Sequence, residues 1–297
     1  MKFKILINIG FFFSIVFSSG SYEILNLSSD ARSLSLNSSA SIYENKYLSN
    51  NPASLSTRTN SQSYSYLLLP ASIHFFSYKN TKQIKIGTSA TKISYINYGI
   101  LFDGQTNEES LAYDVLFEQA FKKEIFNIIS VGVSSGMLFS SIAEYKSNVI
   151  FTNIGFRTRL IDKRLGLGIS YENVGIVTNM YTSLREKIPS LVRLGIYYDL
   201  KYIPCIFNIN YIFHYNSFFS DYLTLGSEFK LFKNIHLRFA VNSLRKDLLI
   251  KDFLFDITSG ISGGIGFRKF DMSYDIGFKS VGPAGLILGF SVGKKLN

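Results

Sequence analysis

The sequence predicts an all-β fold, a transmembrane antiparallel β-barrel of about 14 strands with an N-terminal plug segment. Three observations carry that expectation. Apolar and polar residues alternate over one stretch after another. No run beyond the N-terminus reaches the roughly 18 apolar residues of a membrane-crossing helix. The longest connectors all fall after odd-numbered strands. The stretch "FDMSYDIGF" (270–278) shows the first feature. In a strand, Phe270, Met272, Tyr274, Ile276 and Phe278 share one face, while Asp271, Ser273, Asp275 and Gly277 share the other. Such a row faces either a soluble core or lipid. A soluble periplasmic β-sandwich is the competing fold, and it would need bulky side chains turned inward against a second sheet.

From the N-terminus, Lys2 and Lys4 precede an apolar run, Ile5 to Phe17, and the small residues Ser18 to Gly20. A basic start, a short apolar centre and small residues at its end describe a secretory signal peptide over 1–20. Its removal leaves 29 basic and 21 acidic residues, a formal +8. In an exported chain that charge does not indicate nucleic acid. The basic residues come in scattered pairs such as Lys122-Lys123, Lys163-Arg164, Arg268-Lys269 and Lys294-Lys295, mostly where strands turn. That placement suits solvated turns, lipid headgroups or an acidic partner. Cys205 is the single cysteine, so no disulfide forms within the chain. Only 18% of residues are charged and 15% are aromatic, with 27 Phe, 19 Tyr and no Trp. This is apolar for a soluble protein, whose charged share is about 25%.

Residues 21–61 differ in kind, rich in Ser and Asn with short apolar pieces around Leu25, Leu34 and Leu55. A segment inserted in the barrel lumen would reconcile both traits. Residues 62–297 form the expected barrel, with strands at 62–68, 72–79, 83–98, 111–122, 127–144, 147–161, 164–175, 191–200, 204–215, 221–231, 234–243, 260–269, 270–280 and 285–294. Many reach the roughly 9–11 residues that a tilted bilayer crossing needs. The longest connectors, 99–110, 176–190 and 244–259, follow the third, seventh and eleventh strands. Connectors after even strands are short, which matches short periplasmic turns and long external loops. Glycines crowd 260–266 and 285–293, leaving room for another segment to approach closely.

The stretch "LSSDARSLSLNSSASIYENKYLSNNPASLS" (27–56) resembles the N-terminal signature of the PorV/PorQ family of FadL-like outer-membrane barrels. Ala31 and Arg32, then Asn51, Pro52 and Ala53, carry the match, while Asn37-Ser38-Ser39 stands where the family has a glycine pair. Residues 96–123, 185–211 and 263–292 look like further family segments and lean towards PorQ. The resemblance implies a fourteen-stranded barrel whose N-terminal segment acts as a plug. It also implies a place in the type IX secretion system's attachment complex, anchoring a PorZ-like surface protein beside other members.

Catalysis is not expected. His74, His214 and His236 are far apart and show no metal-ligand spacing, and no G-x-S-x-G elbow occurs. No cofactor or metal is implied. Arg193, Arg238, Arg268, Asp271 and Asp275 fall on polar faces and read as lumen charges that pair with one another and hold the plug. The sequence thus favours an outer-membrane anchor whose external loops hold a surface partner, with outer-membrane lipid around it. The alternative is a FadL-like transporter of hydrophobic small molecules, which needs an apolar pocket near the plug. The lumen faces read as mainly small and polar, which favours the anchor.

Overall fold

A strand edge left free in hydrocarbon would strand its N–H and C=O groups without partners, so a sheet that crosses lipid must close. This one does. The computed structural model describes residues 22–39, 43–44, 46–56, 60–102, 109–126, 128–181, 186–215, 220–232, 234–244, 256 and 258–296. The expected signal peptide, 1–20, lies outside the described residues. The strands are β1 (Asn60–Leu69), β2 (Ile73–Ile84), β3 (Gly87–Phe102), β4 (Glu109–Ile125), β5 (Ile129–Ile142), β6 (Tyr145–Leu160) and β7 (Leu165–Asn179). They continue as β8 (Ser190–Asp199), β9 (Cys205–Tyr215), β10 (Tyr222–Leu231), β11 (Ile235–Asn242), β12 (Ile261–Lys269), β13 (Met272–Ser280) and β14 (Leu286–Leu296). Each pairs antiparallel with its sequence neighbours, and β1 closes on β14 from Asn60↔Leu296 to Leu68↔Leu288.

All fourteen expected strands are present. Their borders differ most at the second turn, which falls at residues 85–86 rather than 80–82 because β2 runs on to Ile84. The last short turn also differs. Phe270 and Asp271, expected as the start of a strand, form the turn between β12 and β13, with Phe270 in the left-handed region at φ 53°. Asp271 is therefore not a lumen charge. Its side chain is exposed, and its carbonyl accepts a hydrogen bond from the Lys295 amide at 2.7 Å. The alternation through "FDMSYDIGF" is real from Met272 onward, but two residues are consumed in reversing the chain.

The faces are those of a membrane barrel, inverted relative to a soluble protein. Ile276 is 62% exposed and Phe239 55%, whereas Arg238, Lys79 and Arg157 are fully buried. Phe207, Ile209, Tyr211 and Phe213 of β9 point outward, and Asn208 and Asn210 point in. Wall height is uneven. Strands β3 to β7 have 14–17 residues, while β10 to β13 have 8–10. Long connectors follow β3, β7 and β11, all at one end, here the long-loop end. Both ends of the barrel sequence, Asn60 and Leu296, lie at the opposite, short-turn end.

Before the barrel, the chain runs along the inner wall. A five-residue helix, α1 (Ala31–Ser35), packs on β11 to β14 and β1, and a 3-10 turn at Pro52–Ser54 packs on β4, β5 and β6. Five residues are too few for a helix to persist alone in water. It persists here because Asp30 caps it, accepting from the Ser33 amide at 2.7 Å, and because the wall beneath it is recessed.

The outward face yields a direct test. Ile276 sits mid-strand, opposite Ile265 and Phe290. Ile276→Arg should lower the unfolding free energy of the barrel in lipid vesicles by about 2–4 kcal/mol, the cost of a cation at bilayer mid-depth. A loss below about 1 kcal/mol in denaturant titration would place this face in water rather than lipid.

Candidate functional site

The recess under α1 is made of glycine. Gly264, Gly277 and Gly289 are lateral neighbours on β12, β13 and β14. A Cβ on Gly264 would stand 2.6 Å from the Ser35 Cβ, and one on Gly277 only 2.5 Å from the Ala31 carbonyl oxygen. Across the barrel, Gly132 and Gly155 pair on β5 and β6, and side chains there would collide with Pro52, Ala53 and Asn51. Missing side chains thus cut two seats in the wall, and the segment between residues 22 and 56 rests in both.

Charge pairing fixes it there. Lys79 on β2 donates to Asp30 at 2.5 Å. Arg32 reaches Glu228 on β10 at 2.7 Å. The same carboxylate accepts from Arg238 at 3.0 Å, and Arg238 also reaches Asp275 at 2.6 Å. His236 stands 3.4 Å from Glu228. Arg193 pairs with Glu172 through two contacts of 3.0 and 3.1 Å. Arg268 faces the same interior, lining a cavity of about 270 Å³ with Lys46, Tyr47, Glu228 and Asp275. Ala31 is fully buried on the glycine seat, and Asn51 accepts from the Ala53 amide at 2.9 Å while its own amide points to the Ile169 carbonyl at 3.4 Å. Of the residues singled out from sequence, the structure brings Arg32, Arg238, Arg268 and Asp275 into one cluster. Arg193 sits apart with Glu172, and Asp271 lies outside. Lys79, Asp30 and Glu172 are additional members of the lumen charge set, and their partners lie too far away in sequence to be read there.

Burial alone would raise the Asp30 carboxyl. The Lys79 ammonium and the Ser33 donors outweigh it and hold the group down to about 2.

Towards the long loops the interior changes character. The lumen is not mainly small and polar throughout, as expected. Leu67, Phe75, Ile96, Leu116, Leu138 and Val149 point inward and pack with Tyr22, Ile24 and Leu34 of the N-terminal segment. The sequence signal was available in runs such as Leu67-Leu68-Leu69, where both faces are apolar. Inside this layer, Tyr98 donates to Asp114 at 2.8 Å and Ser140 donates to the same carboxylate. Tyr22 stacks on Tyr181 with ring centroids 6.1 Å apart and donates to Glu186. Burial pushes the neighbouring Glu23 carboxyl up to about 7, so near neutrality its charge is partly suppressed.

One seam of the wall is incomplete among the described residues. β7 pairs with β6 as far as Asn179, but with β8 only as far as Glu172↔Leu191. Asn173 marks the parting. It adopts φ 59°, breaks the register with β6, and donates to the Pro189 carbonyl at 3.1 Å and to Asn26 at 2.8 Å. Two successive inward residues, Glu172 and Asn173, betray this bulge in the sequence. Beside it opens a cavity of about 590 Å³ lined by Gly175, Ile176, Val177, Met180, Glu186 and Ile188, among others. Val177 and Ile188 also belong to the apolar layer, so the layer borders this opening.

No protein-family model and no curated protein matches the chain. Solved structures do. The Pseudomonas putida toluene transporter TodX superposes with a TM-score of 0.61 at 10% identity, over 91% of this chain and 99% of that one. The CymD monoaromatic hydrocarbon channel gives 0.58 at 10% identity, over 91% and 98%. A Pseudomonas aeruginosa FadL homologue gives 0.57 at 10%, over 91% and 99%. The shared feature is the fold: this chain is a closed 14-stranded antiparallel barrel of the kind seen in FadL-like outer-membrane proteins.

Two outcomes test the site. Glu228→Gln leaves two buried guanidinium groups short of a counter-charge, and should destabilise the barrel by about 3–5 kcal/mol. Chemical unfolding in detergent would measure this, with faster proteolysis inside 22–56. Acid gives the second. The folded Asp30 value lies below the ordinary 3.8, so its contribution is present above that pH and is lost as pH falls towards 2. Pepsin should cut the 22–56 segment at pH 2 and spare it at pH 4, and Asp30→Asn should abolish the difference.

Proposed function

We propose that this chain is an outer-membrane channel that takes up a small apolar molecule, an aromatic ring or short hydrocarbon. The carrying observation is an apolar inner layer that borders the unpaired seam between β7 and β8, with Val177 and Ile188 belonging both to the layer and to the opening at the seam. In this reading the long-loop end faces outside the cell, after export directed by residues 1–20. A solute enters the apolar layer from that end or through the seam. The cavity of about 590 Å³ falls within the range of about 300–1,000 Å³ typical of small-molecule sites. The described neighbours named as toluene and monoaromatic hydrocarbon channels support the same solute class.

The segment 22–56 acts as the plug. Its ion pairs with Lys79 and Glu228 block the charged half of the lumen, so onward passage requires part of it to shift. Transport therefore couples apolar occupancy above to loosening of a charged lock below.

A second reading keeps the barrel as an anchor in a type IX attachment complex, holding a PorZ-like surface protein on the loops 99–110, 176–190 and 244–259. The match at Ala31-Arg32 and Asn51-Pro52-Ala53 favours it, as does the tight fixation of the segment those residues occupy.

Uptake decides between them. Cells carrying the chain should accumulate a radiolabelled monoaromatic hydrocarbon faster than cells without it. Ile188→Asp, which buries an unpartnered carboxylate in the apolar layer, should cut that gain about tenfold, equivalent to about 1.4 kcal/mol of desolvation. Wild-type uptake equal to background, together with a surface protein co-purifying with the barrel, would replace the channel by the anchor.

A further inference from the structure

The cavity of about 270 Å³ that Arg268 lines lies between the N-terminal segment and the wall, and none of its lining residues belongs to the apolar layer. Its wall residues place it at the short-turn end. Ser63, Lys230, Arg268, Ser273 and Gly293 all stand within four residues of that end of their strands. The segment supplies Arg32, Tyr43, Lys46 and Tyr47. Gly293 leaves the recess into which the Tyr47 hydroxyl reaches. The volume falls below the roughly 300–1,000 Å³ of sites for drug-sized ligands, so it suits a smaller group.

Charge decides the kind of group. Four carboxylates border the cavity, and each is paired with a cation that does not line it. Lys79 holds Asp30 at 2.5 Å, Arg159 lies 3.6 Å from Glu44, and Arg238 holds both Glu228 and Asp275. The cations of the lining are less evenly matched. Arg32 reaches Glu228 at 2.7 Å and Lys230 reaches Asp199 at 3.1 Å, each cation 5.9 Å from the Tyr43 ring centre. Lys46 enters no ion pair among the described residues. Burial, with the Arg268 and Lys295 charges nearby, pushes its pKa down. On the same cavity the Ser63 hydroxyl, 2% exposed, has no hydrogen-bond partner among the described residues. Buried hydroxyls are ordinarily partnered, and a buried ammonium beside like charges lacks an anion. One oxyanion would satisfy both groups.

A phosphate suits them better than a further carboxylate. It offers three acceptor oxygens and up to two negative charges, enough for an ammonium, a guanidinium and hydroxyls that approach from different sides. We propose that this cavity binds a phosphate group, as inorganic phosphate or a soluble phosphomonoester, between Lys46 of the segment and Arg268 of β12, with Ser63 as a further donor. A ligand shared by segment and wall stabilises the seated segment by mass action, because it loses half its contacts once the two separate. The site is independent of what crosses the barrel.

Inorganic phosphate titrated into the full chain folded in detergent, at constant ionic strength set by chloride, tests this. Calorimetry should show one saturable site. At a hundred times the dissociation constant, proteolysis within 22–56 should slow about a hundredfold, since cutting follows the unseated population. Lys46→Gln and Arg268→Gln should each weaken binding about tenfold or more, and Lys46→Arg should retain it. Heat-modifiable migration on gels confirms that each variant folds. Glycerol 3-phosphate should compete, and micellar phosphatidic acid should not; the reverse order would assign the phosphate to a lipid headgroup and overturn the soluble ligand. Absence of saturable binding, undiminished binding by Lys46→Gln, or acetate binding as tightly as phosphate would overturn the site. Binding that leaves proteolysis unchanged would overturn the bridge between segment and wall. Protection that chloride alone reproduces would reduce the effect to screening and equally overturn the proposal.

Discussion

A closed sheet with charged side chains on its inner face must balance those charges away from bulk solvent, and the rest of this structure follows from how it does so. Lys79, Glu228, Arg238 and Asp275 are held inside a cylinder whose outer surface is Phe, Ile and Leu. An isolated ion in such a place costs several kcal/mol. The strands satisfy part of that demand among themselves, through Arg238 with Glu228 and Asp275. The remainder falls to the N-terminal segment, which brings Asp30 to Lys79 and Arg32 to Glu228. Position and order of the segment are therefore one problem with charge balance.

That demand explains the glycines. An ion pair needs close approach, and a segment cannot come within 3 Å of a wall lined with side chains. Gly264, Gly277 and Gly289 on one side, with Gly132 and Gly155 on the other, lower the wall where α1 and the Pro52–Ser54 turn must sit. Wall recess and charge complementarity together give the segment a unique seat, although its helix is far too short to be stable alone.

The interior is consequently layered. A charged half is ion-paired to the segment, and an apolar half towards the long loops is built from inward Leu, Ile and Phe. A uniformly polar lumen would suit a rigid anchor. The layered one, bordered by the stretch where β7 parts from β8 among the described residues, suits a solute that avoids water, and this is why we propose the channel reading ahead of the attachment reading that the N-terminal motif suggests. Solved barrels with the same fold include channels named for monoaromatic compounds.

The sequence by itself determined the number of strands, their order and which face meets lipid. Period-two alternation is a local property, so "IFNINYIFHY" or "IHLRFAVN" declares its two faces without knowledge of any neighbour. Connector lengths are equally local, and they assigned the two ends. What only the tertiary structure decided is which inward residues meet. Arg32 and Glu228 are 196 positions apart and Tyr22 and Glu186 are 164 apart. Such pairs depend on register summed around fourteen strands and on the curvature that brings opposite walls to one segment. Asp271 shows the limit at short range: two residues spent on a turn move a carboxylate from the lumen to the rim, a shift that alternation alone does not register. The seam at Asn173 shows it for the wall, because a strand's own residues say where it can pair, while its neighbour's length decides where pairing ends.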